Sequence, residues 1–325
     1  MATETRRFSG IIERAEPSED EVQLVRQAVD ARIGQLLPES EQGDALTGAM
    51  RAAALGSGKR MRPLLLMLVA RDLGCTSPAL LDVACAVELV HASSLVLDDM
   101  PCMDNARLRR GRPAVHVQFG EDVAILASIA LLSRAFCILS AAQDIAPAVR
   151  SRLVCTLAET VGAQGLARGQ FQDLHGGGKR SAADIATTNE LKTGVLLGVT
   201  VEMAAIVAQA DDQVAGSLRA FALAAGHAFQ IRDDFADGSD SAITGKDTGK
   251  DAGKATFIST LGSAEAARRL AGYLQEAERH LHDAVGARSR TRRFVERLFP
   301  QAAPEARFVG GIVARPAARL DARIG

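Results

Sequence analysis

Two acidic clusters, each directly after a long apolar run, constrain this chain more than any other feature. The first, DDMPCMD, begins at Asp98, and the second, DDFAD, begins at Asp233. Asp233 and Asp237 lie four residues apart and therefore share one face of a helix. Asp98 and Asp104 are about 240° apart on an ideal helix, so they converge only if the helix bends or ends. Pro101 lies between them and supplies a cause for such a break.

The two clusters predict metal binding. Carboxylates that gather without positive partners repel one another, and hard divalent cations relieve that repulsion. Mg²⁺ prefers a few carboxylates, with waters and phosphate oxygens as its remaining ligands. A single cluster of this kind is more often a solvated helix end. Two clusters that both follow apolar runs favour magnesium.

The cations of the sequence are placed to bind phosphate groups. GKRMRP at 58–63 puts three cations and a flexible glycine at a predicted helix start, where backbone N–H groups also bind anions. It is not a P-loop, because Arg60 stands where that motif needs Ser or Thr. Further cations are Arg107, Arg109, Arg110, Lys192, Lys246, Lys250 and Lys254. Each alone is typical of a protein surface, but acid for metal combined with base for phosphate predicts a diphosphate substrate.

His91 has two open interpretations. It lies seven residues before Asp98, two helical turns away and about 20° from the same helical face. A single histidine on an apolar helix is usually a hydrogen-bonded core residue. Its alignment with Asp98 favours a ligand-binding role to the same degree, and the sequence alone does not choose between the two.

Composition excludes several function classes. The chain has 38 Lys and Arg against 39 Asp and Glu, so it lacks the basic surplus of proteins that bind nucleic acid by neutralising phosphates. Aromatic residues are 4% of the chain, too few for a base-stacking platform. The five cysteines are scattered without a CxxC pair, and the first ten residues lack an apolar signal region. We therefore expect reduced thiols and a cytoplasmic protein.

The sequence predicts an all-α fold, one helical bundle that spans residues 1–325 as a single domain, with its motifs in a core at about 20–300. Helix-forming residues dominate, and alternation with a period of two is rare. The two most apolar stretches, 123–142 and 194–210, each contain a charged residue, so we expect buried helices and no membrane span. Helices are predicted at 20–36, 43–55, 61–73, 79–100, 120–142, 147–170, 184–208, 213–236 and 263–286. The long Gly-, Asp- and Lys-rich loop at 238–253 is expected to be functional.

Six motifs follow one another in an order that is typical of a known family. They are GKRMRP (58–63), ELVHASSLVLDDMPCMDNARLRRGRPAVH (88–116), GQFQDL (169–174), LKTG (191–194), FQIRDDFAD (229–237) and TGKDTGKDAGKAT (244–256). With these motifs the chain resembles the trans-isoprenyl diphosphate synthases, most closely the bacterial members that make geranylgeranyl diphosphate.

This resemblance implies an all-α bundle around a deep apolar cavity, usually assembled as a homodimer. It implies a prenyltransferase that joins isopentenyl diphosphate to an allylic diphosphate (dimethylallyl, geranyl or farnesyl) with three Mg²⁺ ions. The reaction proceeds by ionisation of the allylic diphosphate, condensation and loss of a proton. The product is a precursor of carotenoids and other isoprenoids.

The resemblance also assigns roles to residues. The implied metal ligands are Asp98, Asp99, Asp104, Asp233 and Asp237. The implied contacts of the allylic diphosphate are Arg109, Lys192, Thr193, Gln230, Lys246 and Lys254. The implied contacts of isopentenyl diphosphate are Lys59, Arg62, His91 and Arg110. The groups expected to be catalytic are Asp98, Asp104, Arg109, Lys192, Asp233 and Lys254. The sequence departs from close relatives at Asn105, where many have Asp, and at Arg232, where many have an uncharged residue.

Product length is predicted from Ser93. The residue five positions before Asp98 lies about 7.5 Å deeper along the helix. In related bacterial farnesyl synthases that position is aromatic and closes the cavity at fifteen carbons. The small Ser93 moves the floor toward Val90 and Val87, which predicts a twenty-carbon product. In the alternative interpretation, Ser93 packs between helices and another group sets the length.

Three other functions remain as alternatives. A farnesyl diphosphate synthase of the same family differs only in product length. A class I terpene cyclase shares the fold, but it usually carries a different second metal motif and has no counterpart of GKRMRP. A catalytically silent regulatory subunit would typically have lost its acidic motifs, and both are intact here.

Overall fold

The structure, a computed structural model, describes residues 19–39, 41–175, 181–237, 257–287 and 289–298. Within these ranges the chain forms fourteen α-helices, one π-helical turn and one pair of short strands, which confirms the predicted all-α class. The helices are α1 Glu19–Leu36, α2 Ala45–Leu55, α3 Met61–Asp72, α4 Leu80–Asp98, α5 Val115–Phe119, α6 Glu121–Ala141, α7 Pro147–Val161, α8 Leu166–His175, α9 Ala182–Asn189, α10 Val195–Ala208, α11 Asp212–Asp237, α12 Phe257–Leu261, α13 Ser263–Val285 and α14 Arg290–Leu298. The strands are β1 Leu108–Arg109 and β2 Arg112–Pro113, and the π-helical turn is Glu190–Gly194.

Two predicted helices are broken in the structure, while the other predicted ends agree to within two residues. The helix predicted at 147–170 is interrupted between α7 and α8. A Cβ on Gly165 would lie 1.9 Å from the Thr160 carbonyl oxygen, so only glycine fits this close passage of the chain. The helix predicted at 184–208 is divided by the π-helical turn. Such turns occur often at functional sites.

Helix α4 lies at the centre of the bundle and packs against α1, α2, α3, α6 and α10. All residues from Val83 to Val90 are buried, as expected for a helix with neighbours on every side. Glu88 is the charged member of this stretch and accepts a hydrogen bond from Arg60 Nη1 at 3.0 Å. Arg60 Nε also donates to Asp30 at 2.6 Å. Arg60 therefore joins α1, α3 and α4 and is turned into the protein interior, not toward a phosphate ligand as the basic motif predicted.

The two strands form a hairpin with a two-residue loop, which the sequence analysis did not predict. Leu108 pairs with Pro113 and Arg109 with Arg112. The two residues between the strands, Arg110 and Gly111, have φ values of 54° and 76°. Two positive φ values in a two-residue loop are those of a type I′ turn, for which an X-Gly pair is the sequence signal. Neighbouring arginines of the hairpin have different partners, because Arg109 bonds to Asp99 and Arg110 to the Ser57 carbonyl.

Charge alone does not exclude membrane-spanning helices, contrary to our expectation. Among the described helices, α4 and α6 are long and apolar enough to cross a membrane by length and composition. The apolar window of α4 is 67% buried inside the protein, but that of α6 is only 39% buried. The outer face of α6 exposes Ile125, Leu126 and Ile129. Helix α4 thus has a protein core around it, whereas α6 has one uncovered apolar face.

Candidate active site

The end of α4 brings Asp98 and Asp104 together, as predicted. The backbone N–H of Asp104 donates to the carbonyl of Asp98 at 2.9 Å, and that of Asn105 donates to Met100 at 3.0 Å. The fold of this loop requires a left-handed residue at Asn105, whose φ is 48°. Asparagine adopts that region more readily than most residues. The substitution of Asn for Asp at 105 therefore suits the turn.

Asp98 lies in a buried, electrostatically mixed environment. Burial raises the pKa of Asp98 to about 6, Lys192 opposes the rise, Asp104 adds to it, and Arg109 opposes it. Lys192, Asp104 and Arg109 thus lie within electrostatic reach of Asp98. A cation placed between the two carboxylates would favour the ionised form of Asp98.

Asp99 forms an ion pair that the sequence analysis did not predict. Its side chain is 3% exposed, and its two carboxylate oxygens accept hydrogen bonds from Arg109 Nε at 2.9 and 3.1 Å. Arg109 Nη2 forms a further short contact with the same carboxylate. Asp99 is therefore committed to holding Arg109. The assignment of Asp98, Asp99 and Asp104 as metal ligands stays a prediction, and this ion pair makes Asp98 and Asp104 the preferred pair of the cluster.

Lys192 is held at the site by a residue that the sequence analysis did not assign. Its Nζ lies 2.7 Å from Asp173 Oδ2, a contact between the π-helical turn and α8. The approach of these elements depends on Gly169, because a Cβ there would lie 2.5 Å from the backbone nitrogen of Lys192. Both residues belong to GQFQDL, the motif that carried this signal. GQFQDL acquires this role only because the fold brings Asp173 of α8 next to Lys192 of the π-helical turn.

Arg62, His91 and Arg110 form a second group of charged and polar side chains at the site. Arg62 Nη1 and His91 Nε2 are 3.3 Å apart, and burial followed by the charges of Arg62 and Arg110 lowers the pKa of His91 well below its ordinary value. The ring is therefore neutral at physiological pH. His91 Nδ1 and Arg62 Nε are buried and have no hydrogen-bond partner among the described residues. His91 thus has one buried nitrogen, Nδ1, without a hydrogen-bond partner among the described residues, which favours the ligand-binding interpretation.

A glycine lets Arg110 reach this part of the site. Arg110 Nη1 donates to the Ser57 carbonyl oxygen at 2.8 Å. A Cβ on Gly58 would lie 2.6 Å from the same nitrogen. Lys59, the neighbouring residue, is exposed. The three cations of GKRMRP therefore have different locations. Arg62 faces the site, Arg60 lies inside the core and Lys59 lies at the surface.

The second acidic cluster faces these cations. Asp233 lies on α11 close enough to Arg62 to oppose the lowering of its pKa that burial causes. The Asp233 side chain is 51% exposed. Gln230, predicted to contact the allylic diphosphate, donates its amide to Asp234 Oδ1 at 3.0 Å. Asp237 ends α11, and its side chain and that of Thr193 lie outside the described part of the structure. Lys246 and Lys254 also lie outside the described residues.

The donor set suits magnesium that shares its ligands with a substrate. Within the described ranges, no three His, Cys, Asp or Glu side chains come together as a complete metal site. The first cluster offers Asp98 and Asp104, and the second offers Asp233, all with carboxylate oxygens. Mg²⁺ is commonly bound by one or two carboxylates together with waters and substrate phosphates. The residues present therefore fit this ion.

Ser93, the position from which product length was predicted, is packed against α6. Ser93 is 4% exposed, and its hydroxyl donates to the Ser128 carbonyl on α6 at 3.0 Å. The two hydroxyl oxygens are 2.8 Å apart, and the Ser128 hydroxyl donates to the Ser93 carbonyl at 3.2 Å. Val90 and Val87 are buried in the main core. The side chain of Ser93 thus packs between helices, which is the alternative interpretation, and its effect on product length stays a prediction.

Fold and site together define the class of this protein. Residues 44–291 match the polyprenyl synthetase family, and the chain belongs to that family. Members of this family are magnesium-dependent and use isopentenyl and allylic diphosphates.

The chain is also similar to individual synthases and to solved structures. The chain is 47% identical to a geranylgeranyl diphosphate synthase of Pantoea ananas, over 83% of this chain and 90% of the relative. It is 40% identical to a farnesyl diphosphate synthase of Geobacillus stearothermophilus, over 80% and 89%. Among solved structures, a geranyltransferase of Helicobacter pylori complexed with magnesium and isoprenyl diphosphate matches with a TM-score of 0.77 and 26% identity. That match covers 88% of this chain and 97% of the other.

Proposed function

We propose that this protein is a geranylgeranyl diphosphate synthase. The twenty-carbon product is supported by the 47% identity to a geranylgeranyl diphosphate synthase. The condensation of two diphosphates is supported most strongly by the arrangement of charge. Asp98 and Asp104 lie within electrostatic reach of Lys192, while Arg62 and His91 form a second group with buried polar atoms that have no hydrogen-bond partner among the described residues. The first group suits a diphosphate that leaves with metal, and the second suits a further diphosphate bound by cations alone. Two such subsites fit a condensation better than the one-substrate cyclase reaction.

The residues divide the work of the reaction. Lys192 and Arg109 stabilise the charge that develops on the allylic diphosphate as its C–O bond breaks. Asp98, Asp104 and Asp233 would hold the three expected magnesium ions together with the diphosphate, and the bound metal would supply further stabilisation of that charge. The fixed positions of both cations reduce the reorganisation needed at that moment. An apolar surrounding of the reacting carbons would exclude water that would otherwise capture the allylic cation.

The second substrate is held by the second group of side chains. Arg62, Arg110 and Lys59 neutralise the diphosphate of isopentenyl diphosphate, and neutral His91 adds a hydrogen bond. This fixes the double bond beside the allylic carbon, an orientation effect that can supply several kcal/mol of the barrier reduction. The new bond forms, a proton leaves to the released diphosphate, and the chain is five carbons longer.

We also propose a homodimer built on the outer face of α6. Its exposed apolar residues Ile125, Leu126 and Ile129 lie on one stripe, beside Val117 of α5. An exposed stripe of large apolar residues is typical of an interface. Leu126→Asp with Ile129→Asp should convert the dimer to a monomer in light scattering. A monomeric unmodified chain would contradict this assembly.

The remaining assignments follow from the same activity. We propose one domain over 1–325, cytoplasmic location and no membrane span, with α6 covered by the second subunit. Carotenoid synthesis is the proposed use of the product.

The proposed prenyltransferase activity is tested by incorporation of labelled isopentenyl diphosphate into an acid-labile product by the purified chain. Incorporation should require an allylic diphosphate and Mg²⁺ and stop with EDTA. Incorporation that is absent with every allylic starter would contradict the proposal and favour the silent subunit.

A further inference from the structure

Arg232, one of the two departures from close relatives, lies directly before the proposed metal ligand Asp233. Its guanidinium is held on three sides. The carbon Cζ lies 4.6 Å from the centre of the Phe229 ring, and Nη1 donates to the Leu298 carbonyl at 2.9 Å. Nη2 makes a longer contact, 3.4 Å, with Asp233 Oδ1. The function proposed above assigns no role to this arginine.

The partner of Arg232 at Leu298 is itself well anchored. Leu298 is the last residue of α14, where carbonyls lack intrahelical partners and carry partial negative charge. The other end of α14 is capped by Asp72, which accepts from the backbone nitrogens of Arg290 at 3.1 Å and Thr291 at 2.8 Å. Because α14 is fixed at its start, its end offers Arg232 a stationary acceptor. The guanidinium is therefore restrained from swinging over the site.

We propose that Arg232 is a positioning residue that orients Asp233 for magnesium. One carboxylate oxygen contacts the anchored guanidinium, and the other remains available to the ion. Asp234 follows directly, so the positive charge of Arg232 also reduces repulsion between adjacent carboxylates before metal binds. Groups that hold a metal ligand in this way typically change metal affinity about 10- to 100-fold when removed. The inference rests on the proposed function, because it takes Asp233 as a metal ligand.

The test compares Arg232→Gln with a matched control on the same helix. Arg219 also lies on α11 and faces a carboxylate, Glu202, at 3.7 Å, but it is outside the site. Binding of Mn²⁺ is measured by electron paramagnetic resonance in the presence of an unreactive allylic thiolodiphosphate. The Mg²⁺ dependence of turnover and the melting temperature are measured on the same samples. We expect Arg232→Gln to weaken Mn²⁺ binding and raise the half-saturating Mg²⁺ at least about tenfold.

The controls separate this role from simple stabilisation. Arg219→Gln should leave metal binding unchanged. Arg232→Lys, which keeps the charge but loses the planar fork, should fall between the two other variants. If Arg232→Gln does not fold, Phe229→Leu is tested in its place. This variant removes only the ring beneath the guanidinium. It should weaken Mn²⁺ binding relative to the unmodified chain, by less than the change expected for Arg232→Gln.

Two results would overturn the inference. They are unchanged Mn²⁺ binding in a folded Arg232→Gln, and tighter binding, which would mean that the arginine competes with the metal. An unmodified chain without Mg²⁺-dependent turnover would instead count against the proposed function. The two failures are therefore distinguishable.

Discussion

Asp99 and Arg109 form a partly buried ion pair at the point where α4 ends, with Arg109 Nε 2.9 and 3.1 Å from the two carboxylate oxygens. Because of this ion pair, the two adjacent aspartates of the first acidic cluster have different surroundings. Asp98 faces the site beside Lys192, while Asp99 faces the hairpin and fixes an arginine there. Adjacent aspartates of one motif therefore have separate functions, and their substitutions should differ in kind.

The first prediction concerns that difference. Asp98→Ala should reduce turnover by orders of magnitude and leave the helical fold intact, because it removes a metal ligand. Asp99→Asn should instead lower the free energy of unfolding by about 1–3 kcal/mol, because it weakens a buried charge-assisted pair. Its Mg²⁺ dependence should stay close to that of the unmodified chain. Near-normal turnover of Asp98→Ala, or a large loss of Mg²⁺ affinity in Asp99→Asn, would contradict this division.

The second prediction uses the pKa of Asp98 in metal-free protein. Burial raises this pKa from 3.8 to about 6, so the folded chain holds the proton more tightly than the unfolded chain. Stability contributed by the protonated group is therefore lost as the pH rises from about 4 through about 6. Asp98→Asn cannot ionise. In EDTA at pH 7.5 it should be more stable than the unmodified chain by about 1–3 kcal/mol, and the difference should shrink toward pH 4.

Urea unfolding at several pH values measures this difference. A variant that is less stable at pH 7.5, or equally stable at every pH, would mean that Asp98 is not in the buried environment described.

The third prediction ranks the contacts of isopentenyl diphosphate. Arg62 faces His91 inside the site, whereas Lys59 is exposed. Both Arg62→Ala and Lys59→Ala should raise the KM for isopentenyl diphosphate more than that for the allylic substrate, with the larger effect from Arg62. Steady-state kinetics with each substrate varied in turn measures both values. A larger effect on the allylic KM would reverse the assignment of the two subsites.

The fourth prediction concerns Ser93. Ser93→Tyr should shorten the main product to fifteen carbons if the position borders the prenyl chain. It should also lower the melting temperature, because a larger side chain must displace Ser128 on α6, and overpacking typically costs about 1–3 kcal/mol. Ser93→Ala is the control and should keep the twenty-carbon product. An unchanged product from a folded Ser93→Tyr would show that another group sets the length.

The sequence was most informative where chemistry depends on nearby residues. The proximity of Asp98 and Asp104 could be predicted from the proline between them, and the helix ends near them could be predicted from the apolar runs that precede them. The Asp173–Lys192 contact could not be predicted, because it joins residues 19 apart through a π-helical turn and a close approach at Gly169. Arg60 was likewise misread, since a cation in a basic motif gives no sign that it will turn inward to Glu88. Direction of a side chain follows from packing, which a local pattern does not contain.

The length of the prenyl chain tests the central claim most directly. The purified chain is incubated with Mg²⁺, labelled isopentenyl diphosphate and, in separate reactions, dimethylallyl, geranyl or farnesyl diphosphate. The products are dephosphorylated and separated by reversed-phase chromatography. The account predicts geranylgeraniol as the main product, including from farnesyl diphosphate. Farnesol as the end product, or a cyclic hydrocarbon formed without isopentenyl diphosphate, would contradict it.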